Sequence, residues 1–147
     1  MKRVLVTGCA GFIGSSLSLA LLKKGYEVIG IDSFTENYTK WIKNRNMDKL
    51  VKYTNFSYIQ ESLLTSDLQL ILKNVNYIFH QAAMPGVRSS WGADFQKYVD
   101  YNILATQKLL EAAKHSFIEK LIYASSSSIY GQTNGKVSED RRPAPFS

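Results

Sequence analysis

The apolar positions of the chain switch between two periodicities from the first residue onward. Lys2 to Thr7 is a short Val/Leu run that stops at Gly8, the pattern of a strand buried on both faces. Phe12 to Lys24 reads as a helix, with Ile13, Leu17, Ala20 and Leu21 on one side and Gly25 as its stop. Tyr26 to Ile31 predicts a second strand, followed by a polar stretch and a helix from about Tyr38 to Val51. Phe56 to Gln60 predicts a third strand, Asp67 to Leu72 a short helix, and Asn76 to Phe79 a fourth strand. The longest helix runs from Asp94 to His115, with Phe95, Tyr98, Val99, Asn102, Thr106, Leu109, Leu110 and Ala113 at helical spacing. Lys120 to Ala124 is a fifth strand, and from Gly131 onward the chain is polar and without clear period. Strands alternating with helices imply βαβ units, a parallel sheet and right-handed crossovers. Such a sheet holds its ligand outside the carboxyl ends of its strands.

One motif sits at such an end. Thr7-Gly8-Cys9-Ala10-Gly11-Phe12-Ile13-Gly14 joins the first strand to the first helix. Its three glycines allow a tight turn, a close approach of backbone to a pyrophosphate, and a helix packed near the sheet. The helix amino end then offers unpaired N–H groups and a positive dipole end to phosphate. A glycine triplet alone is weak evidence, but here a second feature matches it. Asp32 ends the second strand 18 residues after Gly14, where a carboxylate accepts hydrogen bonds from the adenosine ribose hydroxyls. It would repel the 2′-phosphate of NADP, and no Arg follows within ten residues to offset it, so NAD is the expected dinucleotide. The fold expected for residues 1–147 is therefore a Rossmann-type, doubly wound parallel α/β sheet.

Composition narrows the setting. At 147 residues and 45% hydrophobic content the chain makes one domain, and no apolar run approaches the ~20 residues of a membrane span. The first apolar run, Val4-Leu5-Val6, is too short for an export signal. The single Cys9 excludes an internal disulfide framework and fits a reducing, cytoplasmic setting. Part of the +6 net charge lies in Lys40, Lys43, Arg45, Lys49 and Lys52 on one predicted helix. These residues are scattered around the helix with no stacking platform beside them. They read as a solvated face, and no nucleic-acid or membrane partner is expected.

In this order, several segments carry a family likeness. They are the glycine loop from Val6 to Gly14, Gly30-Ile31-Asp32, His80-Gln81-Ala82-Ala83, Val87-Arg88-Ser89-Ser90, Asn102 with Leu109-Leu110-Glu111-Ala112, and Tyr123 to Gly131. The whole chain resembles the N-terminal part of the NAD-dependent epimerase/dehydratase family, the extended short-chain dehydrogenases that act on nucleotide sugars. Within that family it is most similar to UDP-glucose and UDP-glucuronate 4-epimerases. The resemblance implies one bound NAD, a UDP-sugar substrate, and transient oxidation to a keto-sugar. It also implies a homodimer formed through the 94–115 helix.

The likeness assigns cofactor contacts to Gly8, Gly11, Phe12, Ile13, Gly14, Asp32, Ser33, Ser62, Leu63, Ala82, Ala83 and Asn102. His80, with no second ligand at metal spacing, reads as packing. Ser126 stands four residues before Tyr130-Gly131, where the family carries the catalytic Ser or Thr. The run Ser125–Ser128 also fits a polar turn, and chemistry alone does not choose among the four; Ser127 is a weaker substrate candidate. Asn102, on an apolar stripe, is either a satisfied core amide or the family's active-site Asn. Arg88 and Ser90 either contact substrate or cap the turn before Trp91.

Two departures stand out. Ser62 occupies the place of an Asp that the family usually sets beside the adenine, which leaves backbone contact through Leu63. None of the tyrosines (26, 38, 53, 58, 77, 98, 101, 123 and 130) has Lys four residues on, so the family's Tyr-x-x-x-Lys base is missing. Pro143-Ala144-Pro145-Phe146-Ser147 resembles the segment just before that Tyr. The expectation is an inactive N-terminal fragment, its sheet incomplete at the C-terminal edge. Alternatives are a dehydratase or reductase of the same family, or a non-catalytic NAD-binding module; Ser127-Ser128 in place of the dehydratases' Asp-Glu weighs against dehydration.

Overall fold

The computed structural model describes the chain except for residues 37–38, 87–89 and 147. Five strands, β1 (Arg3–Thr7), β2 (Glu27–Ile31), β3 (Phe56–Ile59), β4 (Tyr77–His80) and β5 (Lys120–Tyr123), form one parallel sheet in the order β3-β2-β1-β4-β5. That is the Rossmann strand order as far as five strands go, with its switch point between β1 and β4. Every strand lies within two residues of its predicted span, because short runs of β-branched, aromatic and Leu residues between turn residues favour strands. β3 and β5 are the outer strands of these five.

Alternation along β1 divides the core. Val4 and Val6 face α1 (Phe12–Lys23) and α2 (Lys40–Leu50), meeting Leu21, Leu22, Val28, Met47 and Leu50. Leu5 points to the other face, where Ile31, Ile78, Leu68, Leu72, Leu109 and Ala112 close over it. That face is covered by α3 (Leu68–Ile71) and α5 (Ala105–Lys114). Asp67 caps α3 by accepting a hydrogen bond from the Leu70 N–H at 3.0 Å.

Two helical faces differ from expectation. The buried side of α1 consists of Gly14, Ser15, Ser18, Leu21 and Leu22, whereas Ile13 is 63% exposed and Ala20 also faces outward. Small residues let this helix press on the sheet; a Cβ at Gly14 would lie 2.1 Å from the Gly8 carbonyl oxygen. Hydrophobicity therefore found half of the face: Leu21 is buried and Leu17 packs against the core, while the small residues beside them went unread.

The long helix of 94–115 is not uniform either. A 3₁₀ turn (Gly92–Asp94) leads into α4 (Phe95–Tyr98), then a π-helical segment over Val99–Leu104, then α5. The wider π turn shifts the register, so Phe95 and Leu110 are exposed while Ala105, Leu109 and Ala112 are buried.

Gly30, in the middle of β2, leaves room for Cys9. A Cβ there would sit 2.6 Å from the Cys9 Sγ and 2.9 Å from its Cβ. Burial in this slot pushes the Cys9 thiol pKa up, away from thiolate chemistry. Gly30→Ala is expected to destabilise the fold by about 1–3 kcal/mol through overpacking. Adding Cys9→Ala should recover part of that loss. Urea unfolding of the two variants checks this, and equal stability of Gly30→Ala and wild type would contradict it.

Candidate functional site

The carboxyl ends of β1, β2 and β4 open into one cavity of about 310 Å³. The glycine loop forms its floor. Gly8 takes φ +70°, and a Cβ there would come within 2.9 Å of the Ala82 backbone, so the turn and the loop after β4 can touch only at glycine. Gly11 stands at the N-cap of α1, and no side chain caps the helix. The first-turn N–H groups of Phe12, Ile13 and Gly14 thus face the cavity without intrahelical partners.

Asp32 stands at the opposite side of the floor, and its carboxylate is well supplied with donors. Oδ2 accepts from the Ala10 N–H at 3.1 Å. Oδ1 accepts from the Phe34 N–H at 2.8 Å and from the Lys43 ammonium at 3.0 Å. Phe34 adopts φ +53°, a left-handed conformation unusual for an aromatic residue, and its ring lies 5.3 Å from the Lys43 ammonium. The next peptide, Ala10–Gly11, is held as well, because Asn46 donates to the Ala10 carbonyl at 3.0 Å.

Lys43 and Asn46, one helical turn apart on α2, therefore fix the ribose-side carboxylate and the glycine loop together. Lys43 is 4% exposed. This corrects the reading of Lys43 as part of a solvated basic face, and it supplies near Asp32 the positive charge that the sequence alone did not reveal.

A second network shapes the wall after β4. Thr7 Oγ1 accepts from the N–H groups of Gln81 (3.1 Å) and Ala82 (3.0 Å). Both lone pairs are then used, so its proton must go to His80 Nδ1, 2.7 Å away. His80 Nε2–H then donates to Thr106 Oγ1 at 2.9 Å, and Thr106 donates to the Asn102 carbonyl at 2.8 Å. The imidazole is more than packing: it is a hydrogen-bonded joint between β1, β4 and the π-helical segment. Its pKa falls to about 4, through burial.

Asn102 extends the network outward. Its side-chain oxygen accepts from the Met84 N–H at 2.7 Å and its amide donates to the Met84 carbonyl at 3.0 Å. Tyr98, four residues earlier, donates its hydroxyl to the Pro85 carbonyl at 2.9 Å.

The cavity brings together Gly8, Gly11, Phe12, Ile13, Gly14, Asp32, Ser33, Ser62, Leu63, Ala82 and Ala83, all singled out from sequence. Asn102 is not among its lining residues and stands behind Met84, which is. Ser62 lines the cavity while its Oγ accepts from the Leu64 N–H at 3.2 Å. Ser126 and Ser127 lie outside the lining, exposed past β5, where Ser126 caps a 3₁₀ turn (Ser127–Tyr130) by accepting from the Ser128 N–H at 3.2 Å. Ser90 is also outside it, and Arg88 lies outside the described residues. Sequence reasoning missed Thr35, Lys43, Gln81, Met84, Pro85 and Tyr101 as lining residues. Among the described residues no group of three or more acidic, His or Cys side chains could hold a metal. Nor is any helix among them long and apolar enough to cross a membrane.

Strand order, switch-point cavity and glycine loop define a Rossmann-type α/β protein. More narrowly, the chain belongs to the family described as GDP-mannose 4,6 dehydratase, whose profile matches residues 5–147. It is 49% identical over 146 residues to an uncharacterized UDP-glucose epimerase of Bacillus subtilis (strain 168), covering 99% of this chain and 46% of the relative. A UDP-glucuronate 4-epimerase of Thermodesulfobacterium geofontis is 37% identical over 143 residues, covering 95% and 44% respectively. The crystal structure of the UDP-glucuronic acid 4-epimerase from Bacillus cereus, in complex with UDP-glucuronic acid and NAD, superposes with a TM-score of 0.91. It shares 49% identity over 99% of this chain and 46% of that one. The chain thus spans less than half the length of these relatives.

The His80 network generates a pH dependence. Folding holds the imidazole neutral down to about pH 4, whereas an unfolded His takes up its proton near 6.5. The unfolded state therefore binds more protons between these values, and stability should fall as pH drops from 6.5 to 4, by about 3 kcal/mol in all. At higher pH the group is neutral in both states and adds no slope. Urea unfolding across this range should show the decline in wild type and a shallower one in His80→Asn; parallel curves would remove His80 from the account.

Proposed function

We propose that this chain is the NAD-binding part of an NAD-dependent UDP-sugar 4-epimerase. The observation that carries the reading is the uncapped amino end of α1 facing the same cavity as Asp32. A dinucleotide needs amides for its pyrophosphate and a carboxylate for its ribose, and both are in place. The names and bound ligands of the relatives support NAD as the cofactor and a UDP-sugar as the substrate.

The amides of Phe12, Ile13 and Gly14 bind pyrophosphate, and Gly8 and Gly11 keep side chains out of its path. Asp32 and Ser33 take the adenosine ribose, with Ser62 and Leu63 beside the adenine. Ala82 and Ala83 form a low wall toward the nicotinamide end, and Asn102 acts on that wall through Met84. Bound NAD would supply a reversible hydride acceptor for the sugar C4 position. Ser126 already accepts a bond from Ser128, which leaves its own O–H to donate to the reacting sugar oxygen. Arg88, Ser90 and Ser127 are weaker substrate candidates.

The same reading includes a homodimer. On the 94–115 helix Ile103 is 63% exposed and Leu110 48%, with Leu104 exposed nearby, and these apolar side chains suit a helical partner face. A buried, unpaired Cys9 and the lack of a spanning helix among the described residues are in keeping with a cytoplasmic enzyme.

Calorimetry on the full-length protein should show NAD binding, and Gly11→Val should abolish it by placing a side chain in the pyrophosphate path. NMR of UDP-glucuronate or UDP-glucose incubated with the enzyme should show the C4 epimer appearing. Absence of NAD binding would sink the reading at its root, and binding without epimer would redirect the reaction class. Light scattering should report a dimer that Ile103→Glu with Leu110→Glu converts to monomer; an unchanged mass would place any interface elsewhere.

A further inference from the structure

Resting on the reading of this cavity as a dinucleotide site, we infer that Lys43 offsets the charge of Asp32 at the 2′ position of the adenosine ribose and so tunes the choice between NAD and NADP. A lone carboxylate at the end of the second strand disfavours a 2′-phosphate by charge. In this protein the Asp32 carboxylate is not alone. The Lys43 ammonium lies 3.0 Å from Oδ1, both side chains are almost wholly buried, and both residues line the cavity. At that separation the two charges offset one another for any ligand group a few ångströms away. The Asp32–Lys43 pair therefore adds little net charge at the ribose end of the cavity.

Selection against a 2′-phosphorylated dinucleotide then rests mainly on the hydrogen bonds and shape of the pocket around Asp32. Lys43 is held there by construction. Its ammonium lies over the Phe34 ring, and Phe34 is in turn fixed by its N–H bond to Asp32. Asn46, one turn further along α2, bonds the Ala10 carbonyl and anchors the helix to the glycine loop. The cation cannot swing away without disturbing the loop that receives the pyrophosphate.

The four charge states of the pair make this testable by measuring dissociation constants for NAD and NADP. Asp32→Asn removes the carboxylate and keeps the ammonium, and the ratio of Kd for NADP to Kd for NAD should fall by about tenfold or more, as expected for one unit charge acting on a doubly charged phosphate. Adding Lys43→Met to Asp32→Asn removes both charges without stranding either one, and the ratio should return toward wild type. Both variants lack the same carboxylate, so the difference between them isolates Lys43. Lys43→Arg retains the charge and should keep the wild-type ratio. Lys43→Met alone should raise the ratio wherever its folding is preserved by thermal unfolding.

Equal ratios in Asp32→Asn and the double variant would overturn the inference, and so would loss of both affinities in equal proportion on removing Lys43, which marks a merely structural lysine. Failure of wild type to bind NAD at all is a separate outcome that removes the dinucleotide reading itself.

Discussion

A single residue, Ala10, bears the geometry of the whole site through the two peptide groups on either side of it. Its N–H is held by Asp32 and its carbonyl by Asn46. Through those two bonds the glycine loop is tied to the end of β2 and to the face of α2. Without them, a loop of small residues would have many conformations of similar energy, and the helix amino end would not face a defined point. The carboxylate that defines the ribose end is thus also a strut for the phosphate end. Cofactor recognition and loop order are two uses of one side chain.

The other wall is built on a different principle. The orientations of the Thr7, His80 and Thr106 protons are all forced once the Gln81 and Ala82 amides are counted. A protonated imidazole would need an acceptor at Nδ1, and Thr7 has no lone pair left for it. Burial and hydrogen bonding therefore agree on a neutral ring. A hydroxyl–imidazole–hydroxyl chain with a fixed direction holds the backbone after β4 at a set height above the sheet, and the Ala82–Ala83 wall inherits that height.

Much of the fold could be read directly from the chain. Apolar runs marked all five strands, and the glycine spacing with Asp32 marked the cavity, because close backbone approach to phosphate leaves little choice of residue. What escaped notice was polar and buried. Lys43, Asn46, Met47 and Leu50 form the inward face of α2 at i, i+3, i+4 and i+7, but two of the four are polar, so a hydrophobic stripe could not reveal them. Spacing from Leu50 and Met47 backward was the signal available. On α1 the inward face was hidden by smallness, since Gly14, Ser15 and Ser18 touch the sheet because they lack bulk.

The π-helical segment over Val99–Leu104 gives one rod two independent orientations. A surplus residue wound into a turn rotates everything after it by about 100° relative to an unbroken α-helix. The half before the break presents Tyr98 toward the Pro85 backbone, and Asn102 within it grips Met84. The half after it delivers Leu109 and Ala112 into the core. Removing one residue from that turn would leave a better helix and a worse protein, because one continuous spiral cannot satisfy both neighbours. The irregular turn acts as a phase adjuster between scaffold and pocket.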